Sequence, residues 1–226
     1  MRTRISSQTK IINDYVQKVY FWMFIGLMIT TITAYVVSQM PDLYNLILGN
    51  DIVFFGIIVL QFVAVISISA FIRRIPDNLA ELTFVFYCFL SGLTLSVIFL
   101  AFSVTSIAFV ALITASMFGL MSLYGYVTKT DLTSVGNILL MALFGIILAL
   151  IVNLFVQNSL LDTILSIVSV LIFSGLTAYD TQKVKNTLYD EGDIIKKEIL
   201  GALNLYLDFV NIFLDLIKLL GKRRDD

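Results

Sequence analysis

The chain has 226 residues, 59% of them hydrophobic and 14% charged, against about a quarter charged in an ordinary soluble domain. Fifteen lysines and arginines face sixteen carboxylates, there is one cysteine, Cys88, and there is no histidine. This composition excludes a soluble domain and a basic nucleic-acid surface, and it lacks the parts for disulfide frameworks, thiolate zinc sites and histidine catalysis.

A helix needs about 20 apolar residues to cross the hydrocarbon core. Seven such runs follow one another, at 19–38, 52–72, 79–101, 107–127, 135–155, 161–181 and 199–220. They predict an all-α membrane protein: a cytoplasmic segment at 1–18, a bundle at 19–221 and a short tail at 222–226. The first run follows Arg2, Arg4, Lys10 and Lys18, is full-length and has no A-x-A-like cleavage site behind it, so it reads as a retained span. Both prolines, Pro41 and Pro76, fall between runs, where a missing N–H does no harm.

Orientation follows from lysine and arginine in the short connections. They occur in the N-terminal segment, in the second connection (Arg73, Arg74), in the fourth (Lys129) and in the sixth (Lys183, Lys185, Lys196, Lys197), and are absent from the first, third and fifth. The N-terminus is therefore expected in the cytoplasm. The tail "KLLGKRRDD" is also basic although seven crossings place it outside, so the last helix either spans against its tail or re-enters; spanning is the reading taken. Tyr20, Trp22, Tyr124 and Tyr126 at run ends fit interfacial belts.

The third and sixth spans share the string SGLT, at 91–94 and 174–177. Two inverted three-helix halves would produce such an echo, and so would small residues chosen for close packing.

An ionised side chain near the bilayer centre costs on the order of 3 kcal/mol by insertion scales, so such residues face a bundle interior or a polar path. In the seventh span Asn204, Asp208, Asn211 and Asp215 recur at steps of four, three and four, which places all four on one face. The pattern reads as a central helix lining something polar. In the sixth span Asp180 has Thr177 and Thr181 as helical neighbours. Taken alone it would be an interfacial residue paired to Lys183 or Lys185. It can meet Asp208 only if the sixth helix runs on past its apolar stretch or the seventh starts before its own. Glu81 opens the third span, either as a pore-mouth carboxylate or as a helix N-terminal acid. Asp190, Glu191, Asp193 and Glu198 read as a solvated loop. No P-loop, GxSxG, HExxH or EF-hand string is present.

"FSGLTAYDTQKVK" (173–185), "ALNLYLDFVNIFLDLIKLLG" (202–221) and "FLSGLTLSVIF" (89–99) resemble the signature of the Bax inhibitor-1 family, the transmembrane Bax-inhibitor-motif proteins, and the short cytosolic segments resemble its bacterial members. The resemblance implies a seven-helix bundle with the last helix surrounded by the other six. It also implies that Asp180 of "YDTQ" and Asp208 of "YLDF" form a hydrogen-bonded, pH-sensing pair beside a calcium-leak pathway. An arginine ending the second helix, Arg74 or Arg73, would latch to Asp180. Asp215 has no counterpart in that pattern.

The function expected is a pH-sensitive calcium leak of the bacterial inner membrane. Asp180 and Asp208 would be the sensor and the oxygen ligands met by calcium, with Asn204, Asn211, Asp215 and Glu81 along the path and no cofactor. Two other classes compete. Bacterial members of the family are associated with a membrane-anchored AAA protease, so a regulator acting through residues 1–18 is one. An intramembrane aspartyl protease is the other; its second motif is GxGD, whereas "LYL" precedes Asp208, and no enzymatic activity is expected.

Overall fold

A computed structural model of the chain describes residues 2–72, 74–187 and 193–224, with side chains from residue 11 onward. The described residues form eight helices: α1 (Arg2–Ser38), α2 (Pro41–Leu48), α3 (Asp51–Phe71), α4 (Asp77–Ala101), α5 (Val104–Val127), α6 (Thr133–Val156), α7 (Ser159–Thr187) and α8 (Ile194–Leu220). Seven of them are long and apolar enough to cross a membrane. The predicted spans lie inside these seven, except that the second runs one residue past α3, to Ile72.

Three differences have physical reasons. The first connection is itself a helix, α2, with Pro41 at its first position, where no intrahelical N–H is needed. Its Ile47 joins Val37, Ile57 and Leu90 in a buried cluster. Helix α1 starts at Arg2, far ahead of its apolar run, because nothing between Arg2 and Lys18 breaks a helix. Finally, α7 continues to Thr187 and α8 begins at Ile194, so both carry polar turns beyond their apolar stretches.

The chain divides into two compact units, Met1–Phe102 with Asn186–Tyr206 and Ser103–Lys185 with Leu207–Asp226. The division falls between the third and fourth spans, near the end of α7 and within α8.

In the first unit α1 packs most extensively on α4. Glycine makes the approach possible: a Cβ on Gly92 would lie 2.5 Å from Thr33 Cβ, and one on Gly26 would lie 2.8 Å from Cys88 Sγ. Thr30 Oγ1 donates to the Cys88 carbonyl at 2.9 Å and stands 2.7 Å from the Tyr206 hydroxyl. A hydroxyl has one proton, so Tyr206 donates to Thr30. The Tyr206 ring meets Phe84 and Tyr87 edge-on at 6.2 and 5.8 Å. Gln61 donates to the Leu90 carbonyl and to Thr94, the satisfaction that a polar side chain in a dry span requires.

In the second unit Gly125 lies against the Ala178 backbone and Gly175 against Leu139. The SGLT glycines thus serve different contacts, Gly92 with α1 and Gly175 with α6. Phe118 and Phe209 stack edge-on at 5.5 Å.

Helix α8 is buried where α6 is not. Ala202, Leu203, Leu205 and Tyr206 are each 0% exposed, while Asn204 between them is partly buried. Only Gly136 and Ile146 of α6 are buried.

Candidate functional site

The C-terminal half of α7 is a docking surface in which successive residues have separate partners. Ala178 receives Gly125 of α5, and a Cβ there would stand 2.8 Å from both the Ala178 Cα and its carbonyl carbon. The Tyr179 ring covers Gly136 of α6, where a Cβ would stand 2.5 Å from ring carbon Cγ. Thr181 donates to Ser122 of α5 at 3.4 Å. Gln182, 9% exposed, accepts from the Leu132 N–H at 2.8 Å and donates to the Thr130 carbonyl at 2.8 Å, tying down the α5–α6 connection. Lys185 donates to the Tyr126 carbonyl at 2.9 Å, its ammonium 5.1 Å from the ring centre. Asp180 sits in the middle of this row and is partly buried.

Asp208, on α8 in the same unit, is 3% exposed, and its Oδ2 has no hydrogen-bond partner among the described residues. The charge of Asp180 acts on it. Helix α7 extends to Thr187 and α8 begins at Ile194, before Lys196 and Lys197. Lys183 is a further neighbour whose charge acts on Asp180, its ammonium 5.7 Å from the Tyr179 ring centre. Thr177 donates back to the Phe173 carbonyl at 2.8 Å, as a threonine in an apolar helix commonly does.

Along α8 in this unit, Asn211 donates to the Leu207 carbonyl at 2.7 Å. Asp215, partly buried, accepts a hydrogen bond from Ser169 of α7. Ser174 of α7 is buried, and its Oγ has no partner among the described residues. In the second unit α7 and α8 therefore carry Asp180, Asp208, Ser169 and Asp215 among further buried polar groups such as Ser166, Ser174 and Thr177. Among the described residues no group of three or more carboxylate or cysteine side chains is gathered as for a metal ion.

The other predicted residues lie in the first unit. Asn204 is partly buried on α8, and Glu81 is partly buried in α4. Arg74 is exposed, its guanidinium 5.9 Å from the Phe71 ring centre. Arg73, Asp190 and Glu191 lie outside the described residues.

Glu198 corrects the loop reading. It belongs to α8, is 3% exposed, and its Oε1 lies 3.4 Å from Lys18 Nζ on α1, an ion pair without a hydrogen bond. The charges of Glu81 and Asp193 also reach it, and Lys196 pairs with Asp77 at 3.5 Å. The signal was present: Ile194, Ile195 and Ile199 continue the helical period of the seventh span across the lysines. On the α5–α6 connection Asp131 is exposed. The Thr133 hydroxyl and N–H bonded to its carboxylate hold it below the ordinary aspartate value.

Fold and site together define a multi-pass helical membrane protein with a buried carboxylate, Asp208, on its last helix and a second carboxylate, Asp180, whose charge reaches it. A family model described as inhibitor of apoptosis-promoting Bax1 matches residues 12–225. The chain is 42% identical over 218 residues to the inner membrane protein YbhL of Escherichia coli K12, covering 94% of this chain and 93% of that one. It is 42% identical over 228 residues to a protein of Borreliella burgdorferi, covering 99% and 98%, and 39% identical over 216 residues to one of Rickettsia prowazekii, covering 93% and 90%. The chain belongs to the Bax inhibitor-1 family.

Proposed function

We propose that this protein is a pH-sensitive calcium leak of the bacterial inner membrane, its N-terminus cytoplasmic, with Asp180 and Asp208 as the proton-sharing switch. The observation that carries the reading is Asp208, 3% exposed, with an oxygen that has no hydrogen-bond partner among the described residues and with Asp180 as its charged neighbour. Two carboxylates in a low-dielectric site cannot both ionise cheaply, so their proton occupancies are linked and the pair titrates as a unit. Removing the shared proton sets two like charges against each other across α7 and α8, and this repulsion is the work available to open a path. Calcium, as cargo, takes oxygen ligands. Asp208, Asn211 and Asp215 offer them in succession, and weak sequential sites favour passage over storage. The inner-membrane location is supported by the likeness to an inner membrane protein of Escherichia coli and by the seven apolar helices.

The test is calcium flux into proteoliposomes across about pH 5 to 8, for wild type and Asp180→Asn. A pH-dependent leak that the substitution flattens supports the switch; a leak with unchanged pH dependence refutes it.

A second reading has its own observation. Helix α1 has 37 residues, about 55 Å at the helical rise, against a hydrocarbon core of about 30 Å. Its surplus carries Arg2, Arg4 and Lys10. Such an extension suits a regulator that binds a membrane-anchored AAA protease. Deleting residues 2–10 separates the classes: partner binding fails while flux survives, or the reverse.

A further inference from the structure

The second unit holds a cavity of about 320 Å³ where the end of α6, the start of α7 and the end of α8 come together, a volume at the small end of ligand clefts, which run roughly 300–1,000 Å³. One side is a stripe of α6, formed by Ile147, Leu150, Ile151 and Leu154. These residues recur at helical spacing and are 37–73% exposed. The rest of the lining is Asn153, Asp162 and Lys218.

The charges make this cleft unlike the rest of the lipid-facing surface. Asp162 stands in the first turn of α7 and Lys218 in the last turn of α8, each at the helix end whose dipole favours its sign. Both line one cavity, yet among the described residues neither has an ion-pair partner within 4.0 Å. The carboxamide oxygen of Asn153 already accepts from the Asn158 N–H at 3.1 Å, which leaves its NH2 group as the free donor. The cleft thus offers a cation and an amide donor, a carboxylate, and below them an aliphatic stripe. Its polar groups, Asn153, Asp162 and Lys218, stand near the ends of spanning helices, where headgroups are expected.

We propose that this cleft binds a zwitterionic phospholipid with a primary amine, of the phosphatidylethanolamine class. Its phosphate meets Lys218 and Asn153, its ammonium meets Asp162, and an acyl chain lies along Ile147, Ile151 and Leu154. A primary ammonium donates hydrogen bonds to the carboxylate, whereas a trimethylated one does not, and a glycerol headgroup brings no positive charge for Asp162. The bound headgroup would lie beside the polar interior of this unit, since the charges of Asp162 and Lys218 both reach Asp215. The site is independent of whether the protein conducts calcium.

The test is native mass spectrometry of the full-length protein in detergent with dioleoyl phosphatidylethanolamine, phosphatidylcholine or phosphatidylglycerol at equal concentration. The expected result is one retained ethanolamine lipid, preferred over the other two. Asp162→Asn and Lys218→Gln each weaken it about tenfold, the loss of one charge-assisted contact, and Lys218→Arg keeps it. Leu154→Trp, at a position 73% exposed where folding tolerates bulk, fills the stripe and removes the adduct even if a charge variant fails to fold. Equal retention of all three lipids, or an ethanolamine adduct unchanged in both Lys218→Gln and Leu154→Trp, overturns the proposal.

Discussion

Replacing Gln182 by alanine tests what holds Asp180 in place. Gln182 stands two residues beyond Asp180 and makes two hydrogen bonds of 2.8 Å to the α5–α6 connection. The two bonds are not equal in value. Thr130 is exposed, so its carbonyl exchanges the lost donor for water at little cost. Leu132 is 7% exposed and sits at the N-terminal boundary of α6, so its N–H is left in a dry site without an acceptor. An orphaned buried donor costs about 1–3 kcal/mol. Taking about 2 kcal/mol, local opening of this connection should rise roughly 30-fold. Gln182→Glu keeps an oxygen for Leu132 but sets a carboxylate oxygen against the Thr130 carbonyl, so it should cost less only where that carboxyl is protonated. Hydrogen exchange at the Leu132 amide, read by mass spectrometry or NMR in detergent, separates the variants. Unchanged protection in Gln182→Ala would show that this bond does not close the connection and that α7 is not anchored through it.

Gly125→Ala places a Cβ 2.8 Å from two backbone atoms of Ala178; backbone cannot rotate aside, so α5 and α7 must part, at about 1–3 kcal/mol, seen as a lower unfolding temperature and a displaced pH profile of flux. Thr30→Val leaves the fully buried Tyr206 hydroxyl without the acceptor 2.7 Å away, costing about 1–3 kcal/mol in thermal unfolding, whereas Thr30→Ser should restore most of it. Lys18→Met strands the Glu198 carboxylate, which is 3% exposed. Because the Lys18 side chain is itself 63% exposed, the loss should be about 1 kcal/mol, and the double variant with Glu198→Gln should recover much of it; additive losses would refute the pairing. Asp131, held below the ordinary aspartate value by Thr133, stabilises the first turn of α6 above the unfolded aspartate pKa. That contribution is lost as pH falls through the lowered folded value, so the Thr133 amide resonance should titrate below the ordinary aspartate range.

The span count and the one-faced polar stripe of α8 were legible because both depend on local pattern: length against bilayer thickness, and periodicity against helix geometry. Helix ends were less so. Hydropathy stops at the last apolar residue, whereas α7 runs to Thr187 and α8 starts at Ile194 because backbone hydrogen bonds and tertiary contacts carry a helix through polar turns. Glu198 was misread for that reason. Its burial depends on Lys18, 180 positions away in the chain, and no local window contains that information. The partnership of Ser169 with Asp215 was hidden in the same way, since serine in an apolar span equally signals close packing.

The "AYDTQKVK" string gains a physical account from its contacts. Ala178, Tyr179, Thr181, Gln182 and Lys185 each fix α7 to a neighbour, by backbone approach, ring packing, hydroxyl contact, amide clamp and ammonium–carbonyl bond respectively. Asp180 stands within this row, and its charge reaches Asp208 of α8. A switch in which two like charges meet needs a frame that resists their separation. If α7 could recoil freely, loss of the shared proton would move one helix slightly and do nothing else. With α7 held at five residues around Asp180, the repulsion must be relieved on the other partner, the half of α8 that carries Asp208, Asn211 and Asp215. Loosening the frame, as Gln182→Ala or Gly125→Ala would, should therefore weaken the pH dependence of flux without changing either carboxylate, whereas the same variants leave a protein that conducts nothing unchanged in flux at every pH.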